Sequence, residues 1–222
     1  MSGPDPGADE AARRSEGYWL LSRLFLEVPT PDRLGALREL AVRPSAESTR
    51  LRAALEDALA DPDAAAVAFT RHLCLGDPGG HEPLPFESHV REGSLPGENT
   101  AQVAALMAEA GYADVAPGAV SPDHLGAELR FMALLCHAEY EARQAGDAAG
   151  TRASLQRQRS FLHLHLGQWA PAYCAGLAGR ADNGWVRAIA GIAASTLSGE
   201  VSLIDDLCRR AAAGQETPVS VA

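Results

Sequence analysis

The sequence predicts an all-α fold, and three observations carry that expectation. Aromatic residues make up only 5% of the chain while alanine and leucine dominate, so the core must come from helix formers rather than β-branched strands. Helix punctuation recurs: Thr30-Pro31, Asp61-Pro62 and Ser121-Pro122 each set a capping side chain directly before a proline. Strand-like alternation never survives beyond four residues.

Taken in order, a first helix is expected over about 8–27, with Tyr18, Leu21 and Phe25 beside Trp19, Leu20 and Leu24 giving a wide apolar face. It stops at Val28-Pro29. Thr30 and Pro31 open a second helix that ends before Pro44, and Ser45 caps a third that runs to Ala60. Asp61-Pro62 opens a fourth carrying Val67, Phe69, Leu73 and Cys74. Residues 76–85 hold three prolines and three glycines and read as a long loop, with at most a short helix in 86–93. Helical text resumes over 99–110 and stops at Gly111, placed as a left-handed cap. After a second loop, Ser121-Pro122 begins the longest helix, which runs to Ala145-Gly146 and is apolar around most of its circumference. Further helices are expected near 152–166, 168–179, 183–198 and 201–213. The expectation is one helical bundle of about ten helices spanning 1–222, with flexible tails at 1–9 and 215–222.

Composition narrows the function. The chain has 222 residues, 46% hydrophobic, with a formal net charge of −10, which argues against a nucleic-acid backbone binder. The negative charge is uneven: residues 77–109 carry Asp77, Glu82, Glu87, Glu92, Glu98 and Glu109 against Arg91 alone. Cys74, Cys136, Cys174 and Cys208 are far apart and form no C-x-x-C pair, so neither a disulfide scaffold nor a zinc ribbon is expected. The N-terminus has no apolar h-region, and the uncharged stretch 160–179 is interrupted by His163, His165, Gln168 and Pro171. A cytoplasmic protein without stable membrane association is expected. All nineteen basic residues are arginine, which excludes Schiff-base, P-loop-lysine and kinase-type lysine chemistry.

The candidate chemistry is sparse. Asp123 and His124 fall at a helix start, and His124 and Glu128 are spaced to share a face. A metal-dependent helical hydrolase could be built from Asp123, His124 and Glu128 with His163 or His165, although the order Asp-His reverses that of a helical phosphohydrolase. The bland alternative has Asp123 start the helix while His124 bonds a neighbouring loop. His163 and His165 point about 200° apart on a helix and cannot easily chelate one ion. Glu87-Ser88-His89 lacks the strand-to-helix elbow of a hydrolase. No catalytic residue, cofactor or metal is assigned.

Three segments, read together and in order, resemble one family. They are Phe69-Thr70-Arg71-His72-Leu73-Cys74-Leu75-Gly76 with Leu84-Pro85-Phe86-Glu87-Ser88-His89-Val90; Pro122-Asp123-His124-Leu125-Gly126-Ala127-Glu128-Leu129-Arg130-Phe131-Met132; and Leu164-His165-Leu166-Gly167-Gln168-Trp169-Ala170-Pro171-Ala172-Tyr173. Over about 15–213 the chain is similar to the TorD/DmsD/NarJ-type redox-enzyme maturation chaperones. The resemblance implies a cytoplasmic all-helical chaperone for a molybdenum-cofactor oxidoreductase subunit. It would bind that subunit's N-terminal peptide, often a twin-arginine signal, and hold it until cofactor insertion, as a monomer or a domain-swapped dimer. It nominates Pro85, Phe86, Glu87, Asp123 and His124 for peptide contact, with Tyr18 and Trp19 on the first helix. Ser121 stands where the family often has an acid, and Phe86 where it has Tyr or Trp. The acidic run 77–109 is then expected to attract a basic leader. Burial of about 300 Å² of apolar leader surface would contribute roughly 7 kcal/mol before ordering costs, consistent with micromolar binding.

Overall fold

The computed structural model describes residues 5–40, 46–76, 82–114 and 120–214. Its elements are α1 (Pro6–Leu26), α2 (Pro31–Leu40), α3 (Ala46–Ala60), α4 (Pro62–Phe69), a π-helical segment (Thr70–Leu75), α5 (Glu87–Glu92), α6 (Glu98–Glu109), α7 (Leu125–Gln144), α8 (Ala148–Leu164), α9 (Leu166–Arg180) and α10 (Gly184–Ala213). Among the described residues there is no strand, only an isolated antiparallel bridge between Phe86 and His124. The all-α expectation holds.

Local chemistry explains most boundaries. Asp5 accepts from the Gly7 amide and starts α1 at Pro6, so residues 5–9, read from the sequence as part of a flexible tail, form its cap and first turn, with Ala8 buried. Residues 1–4 and 215–222 lie outside the described residues, as does the expected Ser45 cap. Asp61 accepts from the Ala64 amide at 3.1 Å, and Asn183 from the Trp185 amide at 2.9 Å. Gly111 takes φ +85°, the left-handed conformation expected of it.

Three expectations need correction. The fourth helix does not run unbroken through Cys74: it widens into a π turn at Thr70, where His72 and Leu73, adjacent in sequence, are both buried. The helices expected at 183–198 and 201–213 are one. A lone Gly199 costs about 1 kcal/mol, and the buried stripe Ile189, Ala193, Leu197, Glu200, Ile204, Leu207 carries through it. That makes α10, with 30 residues, the longest helix. By length and composition it could cross a membrane, but its buried stripe packs on α3, α8 and α9. Lastly, Ser121 does not cap the central helix. α7 begins at Leu125 with His124 as its cap, because Asp123 is drawn into contacts with another segment.

The bundle is organised around α1 and α7, which pack antiparallel. Arg143 reaches Asp5 at 3.7 Å, Ser15 donates to the Ala133 carbonyl at 2.9 Å, and Leu26 faces Gly126. A Cβ at Gly126 would lie 2.4 Å from Leu26 Cγ, so the close approach depends on this glycine. A buried polar knot ties these helices to α8 and α10: Arg14 contacts Glu139 and Glu200, Tyr18 donates to Glu200 at 2.8 Å, and Gln158 donates to Glu139 at 2.9 Å.

Candidate functional site

The segment 84–88 is pinned to the start of α7 by backbone and side chains together. Glu87 N donates to the Asp123 carbonyl at 2.9 Å, and Leu125 N to the Pro85 carbonyl at 2.8 Å. Asp123 Oδ2 accepts from the Ser88 amide (3.1 Å), the Ser88 hydroxyl (2.5 Å) and the Thr100 hydroxyl (3.0 Å), while Ser121 donates to Oδ1. These donors hold the Asp123 carboxyl below the usual carboxylate range despite its burial. One carboxylate thus joins the α5 start, α6 and the α7 start.

His124 closes this junction. Its Nδ1 accepts from the Gly126 amide at 3.0 Å, which requires that nitrogen to be unprotonated. Its ring meets Phe86 edge-on at 4.9 Å between centroids. Burial lowers its pKa to about 4, with the Asp123 charge opposing.

Below the junction lies a second knot. Glu87, fully buried, is met by Arg91 at one oxygen and by His165 Nδ1 at 2.9 Å at the other. Glu128 accepts from Trp169 Nε1 at 3.2 Å. Burial first, and then the neighbouring Glu87 charge, push the Glu128 carboxyl well above the usual range, so it is the protonated member of the pair. Arg91 also bonds the Leu164 carbonyl at 3.0 Å, fixing α5 to the α8–α9 break at His165. The three sequence segments singled out above therefore converge on one buried hub.

Beside the hub opens an apolar groove of about 580 Å³, lined by Phe25, Leu26, Phe69, Leu73, Cys74, Phe86, Leu95, Pro96, Val120, Ser121 and His124. Among the described residues, no side chain that is charged at neutral pH lines it. Leu95, within this lining, is 47% exposed, a large apolar group in contact with solvent.

The nominated residues separate accordingly. Phe86 and His124 line the groove. Pro85, Glu87 and Asp123 are buried and hold the loop. Tyr18 is buried on Glu200, whereas Trp19, its neighbour, is 43% exposed beneath Arg130. Leu26, Leu73, Leu95 and Pro96 were not singled out from the sequence as contact residues. Part of the acidic run is engaged within the fold. Glu82 contacts His72 and Arg180, Glu87 is buried, and Glu92 accepts from the Glu98 and Asn99 amides at 2.8 Å. Asp77 lies outside the described residues. Among the described residues of the run, Glu92, Glu98 and Glu109 remain exposed.

The residues of the hydrolase reading do not assemble a metal centre. Asp123 is spent on Ser88, Thr100 and Ser121, Glu128 faces Trp169, and His163 turns away to Asp205 at 3.0 Å. Among the described residues, no group of three His, Cys, Asp or Glu side chains is placed to hold a metal ion.

A family model described as nitrate reductase delta subunit matches residues 41–175, more than half of the chain and the span that contains the hub. No curated protein matches the sequence.

Proposed function

From the premise that the chain belongs to the nitrate reductase delta subunit family, a family of molybdoenzyme maturation chaperones, we propose that it binds the N-terminal leader of a molybdenum-cofactor oxidoreductase subunit in the groove beside Phe86 and His124. It holds that subunit, in the cytoplasm, until the cofactor is inserted. The observation that carries this reading is the groove itself: about 580 Å³, apolar, open to solvent, and walled by a segment that the buried hub fixes in place.

The hub supplies rigidity. Arg91 and His165 on Glu87, and Ser88 and Thr100 on Asp123, hold the loop bearing Phe86 in place before any peptide arrives, so less ordering entropy is lost on binding. The groove supplies affinity by burying apolar surface. Because its lining, among the described residues, carries no formal charge at neutral pH, it reads the uncharged stretch of a leader of twin-arginine type rather than the arginine pair. Titration of the protein with the client's N-terminal peptide, with groove variants alongside, tests this reading.

A further inference from the structure

We propose that the face formed by Trp19, Arg23, Arg33 and Arg130 is a second docking surface, which takes an acidic peptide segment of a partner protein. Trp19 is 43% exposed, while the other two tryptophans, Trp169 and Trp185, are 2% and 3% exposed. The Arg130 guanidinium lies over the Trp19 ring, 4.8 Å from its centroid, so the two long side chains form one flat platform.

The charge around this platform runs against the rest of the molecule. Arg23 and Arg33 both reach Glu27, at 3.0 and 4.0 Å, and Arg130 senses both Glu27 and Arg23. Arg23 and Arg33 thus share one carboxylate beside Arg130, on a chain whose net charge is −10. Glu27 is engaged through both oxygens by Arg23. Arg130 Nε is buried and has no acceptor among the described residues. A carboxylate is the peptide group whose geometry best fills a guanidinium fork.

Position makes the surface useful. Trp19, Arg23 and Leu26 lie on one side of α1, and Trp19 is about 10 Å along the helix from Leu26, which lines the groove. A basic leader segment is repelled from the three arginines. The groove and this face therefore take segments of opposite character, and this proposal stands independently of what fills the groove.

Acrylamide quenching of tryptophan emission tests it, because Trp19 is the exposed fluorophore. A blocked oligoglutamate peptide is expected to shield Trp19 from acrylamide at low salt, and a blocked oligolysine peptide is not. Arg130→Gln should weaken the oligoglutamate effect about fivefold. Arg33→Glu reverses charge at an exposed position and leaves the Trp19–Arg130 contact in place, so it should do the same even where Arg130→Gln impairs folding. The groove variant Leu95→Asp should leave shielding unchanged. Absence of shielding by oligoglutamate, equal shielding by oligolysine, or full shielding in the Arg33→Glu protein would overturn the proposal.

Discussion

His165 Nδ1 lies 2.9 Å from Glu87 Oε2, joining two residues separated by 78 positions in the chain. An ionised carboxylate only accepts hydrogen bonds, so the imidazole proton sits on Nδ1 and points at Glu87. With Arg91 on the other oxygen, Glu87 becomes the charged centre that locks α5 to α9.

Glu87 and Glu128 should therefore answer differently to the same change. Glu87→Gln leaves Arg91 and His165 without their anion and should cost about 3 kcal/mol in denaturant unfolding at pH 7. Glu128→Gln replaces a carboxyl already held neutral and should stay within about 1 kcal/mol. The sign with pH follows from the raised folded pKa of Glu128: its protonated form is shared by folded and unfolded chains at low pH, and the folded chain loses relative stability as pH rises above the ordinary carboxyl range. The Glu128→Gln protein should thus gain on wild type from pH 5 to pH 8. A Glu128→Gln loss as large as that of Glu87→Gln would show that the charge is placed on the wrong residue.

His124 contributes a slope of opposite sign. Its folded pKa of about 4 lies below the unfolded value of 6.5, so the unfolded chain binds an extra proton between them. Stability from this residue is intact above pH 6.5 and is lost as pH falls toward 4, by at most about 3 kcal/mol. His124→Asn keeps a capping acceptor and removes the titration. Unfolding curves over this range should show the variant improving relative to wild type as acid is added; parallel curves would refute the assignment.

Gly126→Ala tests the α1–α7 contact. The added methyl would come 2.4 Å from Leu26 Cγ, and relieving that overlap should cost about 1–3 kcal/mol in thermal or chemical melts. Since Leu26 also lines the groove, peptide affinity should fall with it. Gly17→Ala, where a Cβ meets nothing within 4 Å, is the matched control and should be neutral or slightly stabilising.

Metal content separates the chaperone reading from the hydrolase one. With Asp123, Glu128 and His163 each committed to protein partners, purified protein should carry no stoichiometric zinc, iron or manganese, and chelation should leave its melting temperature unchanged. A tightly bound equivalent of metal would reopen the hydrolase reading.

Where a boundary depended on neighbouring residues, it was legible in the sequence. Asp61-Pro62 and Gly111 act through their own backbone, and both stand where local rules put them. Ser121-Pro122 misled because Asp123 is captured by Ser88 and Thr100, partners that no local rule sees. The same applies to the site. The resemblance picked out Phe86, Glu87, Asp123 and His124, but the inward turn of Glu87 is set by His165 and Arg91, and only the folded chain shows it. Leu95 and Pro96 belong to no motif, and they enter the groove through tertiary packing alone.

Binding of a leader in the groove, and not along the acidic run, is directly measurable. Calorimetric titration with a synthetic leader peptide of twin-arginine type, an arginine pair followed by an uncharged apolar stretch, should give saturable binding tighter than about 100 μM in wild type. Leu95→Asp, an exposed change that places a charge in the groove, should weaken it at least about tenfold without lowering the melting temperature. No saturable binding at that concentration, or unchanged affinity in both Leu95→Asp and Phe86→Ala, would show that the groove does not receive the leader.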